Sequence, residues 1–99
     1  MQRGGTVYIM ASLNNKVLYT GVTADLYNRV QQHKQKIYPD SFTARYNCIK
    51  LVYFGPYSTI EEAIDEEKRI KGGNRINKEK LINVTNPHWR DLWEDIKGW

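Results

Sequence analysis

Two β-rich runs, residues 6–12 (TVYIMAS) and 17–22 (VLYTGV), are held apart only by Leu13-Asn14-Asn15-Lys16. Asparagine tolerates the positive φ that a tight reversal needs, so this spacing predicts an antiparallel hairpin. With the turn centred on Asn14-Asn15, Met10 faces Tyr19 and Tyr8 faces Gly21. Tyr8 and Tyr19 are then diagonal neighbours on one face, about 7–8 Å apart.

The rest of the chain reads as a small α+β fold. Thr23 or Asp25 caps a helix over residues 25–37, whose apolar stripe is Leu26, Val30 and Ile37, within about 40° of one another at 100° per residue. Residues 38–47 carry Pro39, Asp40 and Ser41 and read as a loop. Residues 48–54 (CIKLVYF) read as a third strand closed by Gly55-Pro56. Thr59, followed three residues on by Glu62, is a capping box opening a helix that runs to Gly72-Gly73. A short helix is expected over 77–84. Asn86-Pro87 opens another, with Asn at the cap, Pro in the first turn, and Trp89, Leu92, Trp93 and Ile96 as its face.

Composition narrows the class. At 99 residues, 40% hydrophobic and 26% charged, the chain reads as one globular domain over 1–99 and is too apolar for disorder. Cys48 has no second cysteine to pair with, and with only His33 and His88 it cannot complete a Cys-rich zinc site. No apolar run approaches the ~18 residues of a membrane span. The N-terminus lacks the pattern of a signal peptide, so a cytoplasmic protein with no membrane partner is expected.

Charge points to an anionic partner. The net charge is +4, and residues 1–50 hold seven basic side chains against two acidic ones. A second basic segment covers 68–80. Lys34, Arg45, Lys71 and Arg75 become candidates for contacts to a nucleic-acid backbone.

Three places break the folding pattern, and such breaks mark function. His33 sits inside the apolar arc of the first helix, with Arg29 at its edge. Glu67 falls within the stripe Ile60, Ala63, Ile64 and Ile70, where an uncompensated carboxylate costs several kcal/mol. Gly21 weakens a strand unless backbone or ligand approaches closely. Each has a plain structural explanation by itself: a core histidine, a Glu paired with Arg29 or Lys71, tyrosines packed on a strand. Together they assemble two phenols, a guanidinium, an imidazole and a carboxylate. That set suits phosphodiester hydrolysis, with a Glu-held Mg²⁺, an arginine on the phosphate, and a phenol or imidazole taking a proton from water.

Thr6-Val7-Tyr8, Tyr19-Thr20-Gly21, Arg29, His33 and the segment AIDEEKRIK around Glu67 together resemble the GIY-YIG nuclease domain, over about residues 6–94. The tail through Asn86-Pro87-His88-Trp89 is similar to the family's small bacterial branch (UPF0213-like, URI-domain proteins). The resemblance implies a three-stranded antiparallel sheet flanked by helices, and metal-dependent cleavage of DNA; the structure of the DNA partner, branched or single-stranded forms among the candidates, stays open. It implies Tyr8 as the phenol activating water, Tyr19 beside it orienting water or phosphate or sharing that role, Arg29 on the scissile phosphate, and His33 assisting proton transfer or contacting the phosphate. Glu67 would be the ligand of a single Mg²⁺ or Mn²⁺. The family's downstream asparagine near the phosphate maps best to Asn86, with Asn83 and Asn77 competing and a helix cap as the alternative role for Asn86. Thr-Val-Tyr replaces Gly-Ile-Tyr, Thr20 replaces an Ile, and Gly72-Gly73 stands where relatives often carry an aromatic. The runner-up reading is a DNA- or RNA-binding module with little turnover; a third is a protein-interaction domain anchored by Trp89, Trp93 and Trp99.

Overall fold

The computed structural model describes residues 4–99. Gly5–Ala11 forms β1 and Leu18–Thr23 forms β2. They pair in the expected register, Tyr8 opposite Gly21 and Met10 opposite Tyr19. Asn15 takes the positive φ, at 63°. The Ser12 hydroxyl donates to Asn14 Oδ1 at 2.8 Å and accepts the Val17 N–H at 3.0 Å, which closes the reversal.

The third strand, β3 (Lys50–Tyr57), pairs antiparallel with the other side of β1, giving the order β2-β1-β3. It continues through Gly55-Pro56 instead of stopping there. An edge strand can accept a proline because only an outward N–H is lost.

Central β1 is buried along its whole length, and its alternation divides the core. Val7, Ile9 and Ala11 face one side with Val52, Ala63, Ile70 and Ile82. Tyr8 and Met10 face the other with Leu26, Val30, Leu51, Leu92 and Ile96. Full burial of each such aliphatic side chain stabilises by about 1.5–3 kcal/mol.

On the Tyr8 face lies α1 (Leu26–Gln35), capped by the Asp25 carboxylate on the Asn28 N–H. It stops earlier than its periodicity suggests. Lys36 turns left-handed at φ 51°, and the Lys36 and Ile37 N–H groups close back on His33 and Gln32 carbonyls. This reversal throws Ile37 outward, 50% exposed, so Ile37 is not part of the apolar stripe. The expected loop over 38–47 contains a single helical turn, α2 (Phe42–Arg45), capped by Ser41.

On the opposite face, α3 (Ile60–Lys71) starts at the expected Thr59 cap. Its hydroxyl accepts the Glu62 N–H and donates to the Glu62 carboxylate. Next, α4 (Arg75–Thr85) begins two residues before the expected start because Asn74 caps it. Asn86 closes this helix and does not open another. Residues 87–92 wrap the sheet irregularly, Trp89 at φ 54°, and the last helical turn is only α5 (Trp93–Ile96). Trp89 therefore packs on the Val7 side while Leu92 and Ile96 pack on the Tyr8 side, so the four do not form one helix face. No described helix is long and apolar enough to cross a membrane.

Candidate active site

Tyr8 points from the central strand into the α1 side of the core and is 1% exposed. Its ring extends across Gly21 on β2; a Cβ at position 21 would lie 2.5 Å from the phenol oxygen. Glycine is needed there for space, since no described glycine has a positive φ. The approach inferred for Gly21 from the sequence is thus made by the protein's own tyrosine ring.

So placed, the Tyr8 hydroxyl lies 2.8 Å from His33 Nε2. His33 is two helical turns into α1, on its sheet-facing side. Its other nitrogen, Nδ1, lies 2.8 Å from the hydroxyl of Thr43, a buried residue of α2. Tyr19 stands beside both rings, its centroid 6.3 Å from Tyr8 and 5.7 Å from His33. A cavity of about 250 Å³ opens over the group, lined by Tyr19, Arg29, His33, Tyr38, Phe42 and Thr43.

Burial raises the Tyr8 pKa above that of an ordinary phenol. Tyr19 and Glu67 add to the rise, and Arg29 opposes it. Burial first and then the Arg29 guanidinium push His33 down to about 4. At neutral pH the pair is therefore a neutral phenol on a neutral imidazole, whose ring offers one N–H and one lone pair. Arg29 is exposed on α1 and makes no ion pair among the described residues.

Glu67 lies in α3, which packs on β1 and β2. Its side chain is 12% exposed and its Oε2 lies 2.8 Å from Lys71 Nζ, one turn on. The Lys71 ammonium sits 5.8 Å from the Tyr19 ring centroid, and its hydrogen bond to Glu67 raises its pKa. Among the described residues no three His, Cys, Asp or Glu gather to make a protein-built metal cage. A single carboxylate fits Mg²⁺ or Mn²⁺, which keeps several waters and takes its other ligands from substrate phosphate. A structural zinc or calcium site does not fit.

The other sequence candidates fall elsewhere. Lys34 pairs with Asp91, donates to the Ile49 carbonyl at 2.9 Å, and lies 5.9 Å from the Trp93 ring centroid. Arg75 holds the hairpin turn through the Asn15 and Lys16 carbonyls and pairs with Glu79. Asn86 is 3% exposed. Its amide donates to the Val52 and Arg90 carbonyls and accepts the Arg90 N–H, so every function of this side chain is spent within the fold. Asn83 accepts the Trp89 indole N–H, and Asn77 lines a groove between α3 and α4 with Arg69 and Lys78. Arg45 is exposed and makes no ion pair among the described residues.

The sequence alone carries no mark that singles out Thr43, Phe42 or Asp91. Phe42 stacks beside Tyr19 at 6.0 Å and Tyr46 at 4.7 Å. Asp91 ties the tail to β3, accepting the Leu51 and Trp93 N–H groups. A weak signal for α2 exists in Ser41, an N-cap residue type before Phe42.

The buried Tyr8 and the half-buried His33 thus lie hydrogen-bonded to one another beside Arg29, which has no ion pair among the described residues, with the Glu67 carboxylate on a separate helix. The model of the GIY-YIG catalytic domain matches residues 4–80, and the chain belongs to this family, a nuclease superfamily. Within it the chain resembles the UPF0213 proteins. A UPF0213 protein of Syntrophus aciditrophicus (strain SB) is 32% identical over 76 residues, spanning 77% of this chain and 86% of the relative. The solution NMR structure of a UPF0213 protein from Bacillus halodurans superposes with a TM-score of 0.56 at 25% identity, covering 89% of this chain and 92% of that one.

Proposed function

We propose that the protein is a divalent-metal-dependent DNA endonuclease that hydrolyses phosphodiester bonds at Tyr8, His33 and Arg29. The observation that carries this reading is the 2.8 Å hydrogen bond between the Tyr8 phenol and His33 Nε2. Tyr8 takes a proton from the attacking water while its own proton passes to His33. The hydroxide adds to phosphorus, the P–O bond to the leaving oxygen breaks, and that oxygen is protonated from solvent. Neither free phenolate nor imidazolium is favourable at rest, so the two transfers run together with attack. Binding of a phosphate to Arg29 cancels part of the field that weakens His33 as a base. Arg29 also stabilises the charge growing on the phosphate, and Tyr19 orients water or phosphate beside it. Held by Glu67, Mg²⁺ or Mn²⁺ would supply positive charge to the phosphate and leaving group.

The rim favours DNA with unpaired bases, single-stranded or branched. Tyr38 and Phe42 line the cavity and are 59% and 46% exposed; Tyr46, 49% exposed, packs against Phe42, with Arg45 on the same short turn as Phe42. Exposed aromatic rings next to basic side chains stack unpaired bases, at about 1–3 kcal/mol per base.

The test is nicking of supercoiled, single-stranded, flapped and branched DNA with Mg²⁺ or Mn²⁺, with Glu67→Ala as control. Metal-dependent cleavage that is lost in the variant supports the nuclease. One observation favours the second reading, a module that binds DNA without cutting: the Lys71 ammonium already occupies Glu67. DNA binding with no cleavage of any substrate would establish it.

A further inference from the structure

His33 has two neutral tautomers, and only one leaves a lone pair on Nε2 to receive the Tyr8 proton. The hydrogen bonds around the ring select between them. The Tyr8 hydroxyl is buried, and among the described residues its one hydrogen bond is to His33 Nε2. If Nε2 carried the proton, the phenol O–H would have no acceptor among the described protein groups, and a buried hydroxyl left without one costs about 1–3 kcal/mol. If the phenol donates, Nε2 is the acceptor and the ring proton sits on Nδ1.

Nδ1–H then needs an acceptor of its own. It finds Thr43 Oγ1 at 2.8 Å. The threonine hydroxyl in turn lies 3.3 Å from Ser41 Oγ. Ser41 Oγ accepts the Ala44 N–H at 3.2 Å as the cap of α2 and keeps a lone pair for Thr43. Donation thus runs in one direction: Tyr8 to His33, His33 to Thr43, Thr43 to Ser41. Thr43 is itself fixed, 2% exposed, with its backbone carbonyl accepting the Cys48 N–H at 2.8 Å.

We propose that Thr43 is a positioning residue which holds His33 in the Nδ1–H tautomer and so keeps Nε2 as the proton acceptor for Tyr8. The inference rests on the nuclease reading for its consequence, but the tautomer can be read without any cleavage. This would give the small helix two tasks, its buried face orienting the histidine while its exposed face carries Phe42 at the rim.

The experiment is nitrogen NMR of the His33 ring in the whole protein, wild type, Thr43→Val and Thr43→Ser, with DNA nicking and DNA binding measured beside it. Valine keeps the shape of threonine and removes the hydroxyl; serine keeps the hydroxyl. Wild type and Thr43→Ser should show the Nδ1–H tautomer, and Thr43→Val should move toward Nε2–H. Nicking should fall by about 10²–10⁴-fold in the valine variant, the range spanned by a lost general base and a catalytic histidine in the wrong tautomer. It should recover in the serine variant, with DNA affinity unchanged throughout. An Nε2–H ring in the wild type would overturn the proposal whether or not Thr43→Val folds. So would an unchanged tautomer in a folded Thr43→Val. If no form cuts DNA yet the tautomer shifts as described, the nuclease reading fails and the assignment of Thr43 stands.

Discussion

Gly21 and Tyr8 form one unit across the hairpin: the space where residue 21 lacks a side chain is filled by the end of the Tyr8 ring, 2.5 Å from where a Cβ would stand. The two are direct register partners, so placement of the phenol depends on the strand pairing itself. Gly21→Ala should push the phenol away from His33 Nε2. Overpacking of this kind costs about 1–3 kcal/mol of stability, measurable by denaturant unfolding. Loss of nicking should exceed what the reduced folded fraction explains, with DNA affinity retained. A variant that nicks normally would mean the ring finds another route to its partner.

The acid limb of stability should carry the signature of His33. Its folded pKa is about 4 against an unfolded value of 6.5. Between those values the unfolded chain binds the proton and the folded chain does not, so stability falls as pH drops from about 6.5 toward 4. Above about 6.5 this contribution is fully present. Thermal melts across pH 4–8 should show the slope, and His33→Gln should flatten it. An NMR titration that placed His33 at an ordinary imidazole value would remove the basis for this expectation.

Asn86 should behave as a structural residue. Asn86→Ala leaves the Arg90 N–H and the Val52 and Arg90 carbonyls without their partner. The expected loss is about 2–4 kcal/mol, from groups left unsatisfied in a buried setting. Cleavage per folded molecule should change little. A large drop in DNA affinity at unchanged stability would instead put this amide on the substrate.

Salt dependence should separate free cations from committed ones. Among the described residues Arg29 and Arg45 lack ion-pair partners, whereas Lys34 is paired with Asp91. Each phosphate contact removed reduces the slope of log affinity against log salt by about 0.7–0.9. Arg45→Ala should show that reduction with stability within about 0.5 kcal/mol of wild type. Lys34→Ala should leave the slope alone and lower stability, because Asp91 also holds the Leu51 and Trp93 N–H groups. The reverse pattern would relocate the phosphate track.

What the sequence determined by itself is what short-range chemistry controls. The Asn14-Asn15 reversal set the hairpin register, and with it the opposition of Tyr8 to Gly21. Thr59 and Glu62 marked the start of α3, and the family pattern of Tyr8, Tyr19, Arg29, His33 and Glu67 was readable as spacing. Tertiary structure decided how side chains with several options spend them. Asn86 had the chemistry of a helix cap or a phosphate ligand, and its burial beside Val52 and Arg90 assigned it to the fold. Ile37 kept the helical period, but a left-handed Lys36 ended the helix before it. Thr43 reached His33 from a segment that reads as loop, and Lys34 and Arg75, basic like any phosphate contact, were taken by Asp91, Glu79 and backbone carbonyls. Periodicity and capping act over a few neighbouring residues and leave a local trace. The partner of a hydrogen bond or charge is settled by whichever distant segment the packed sheet brings within about 3 Å.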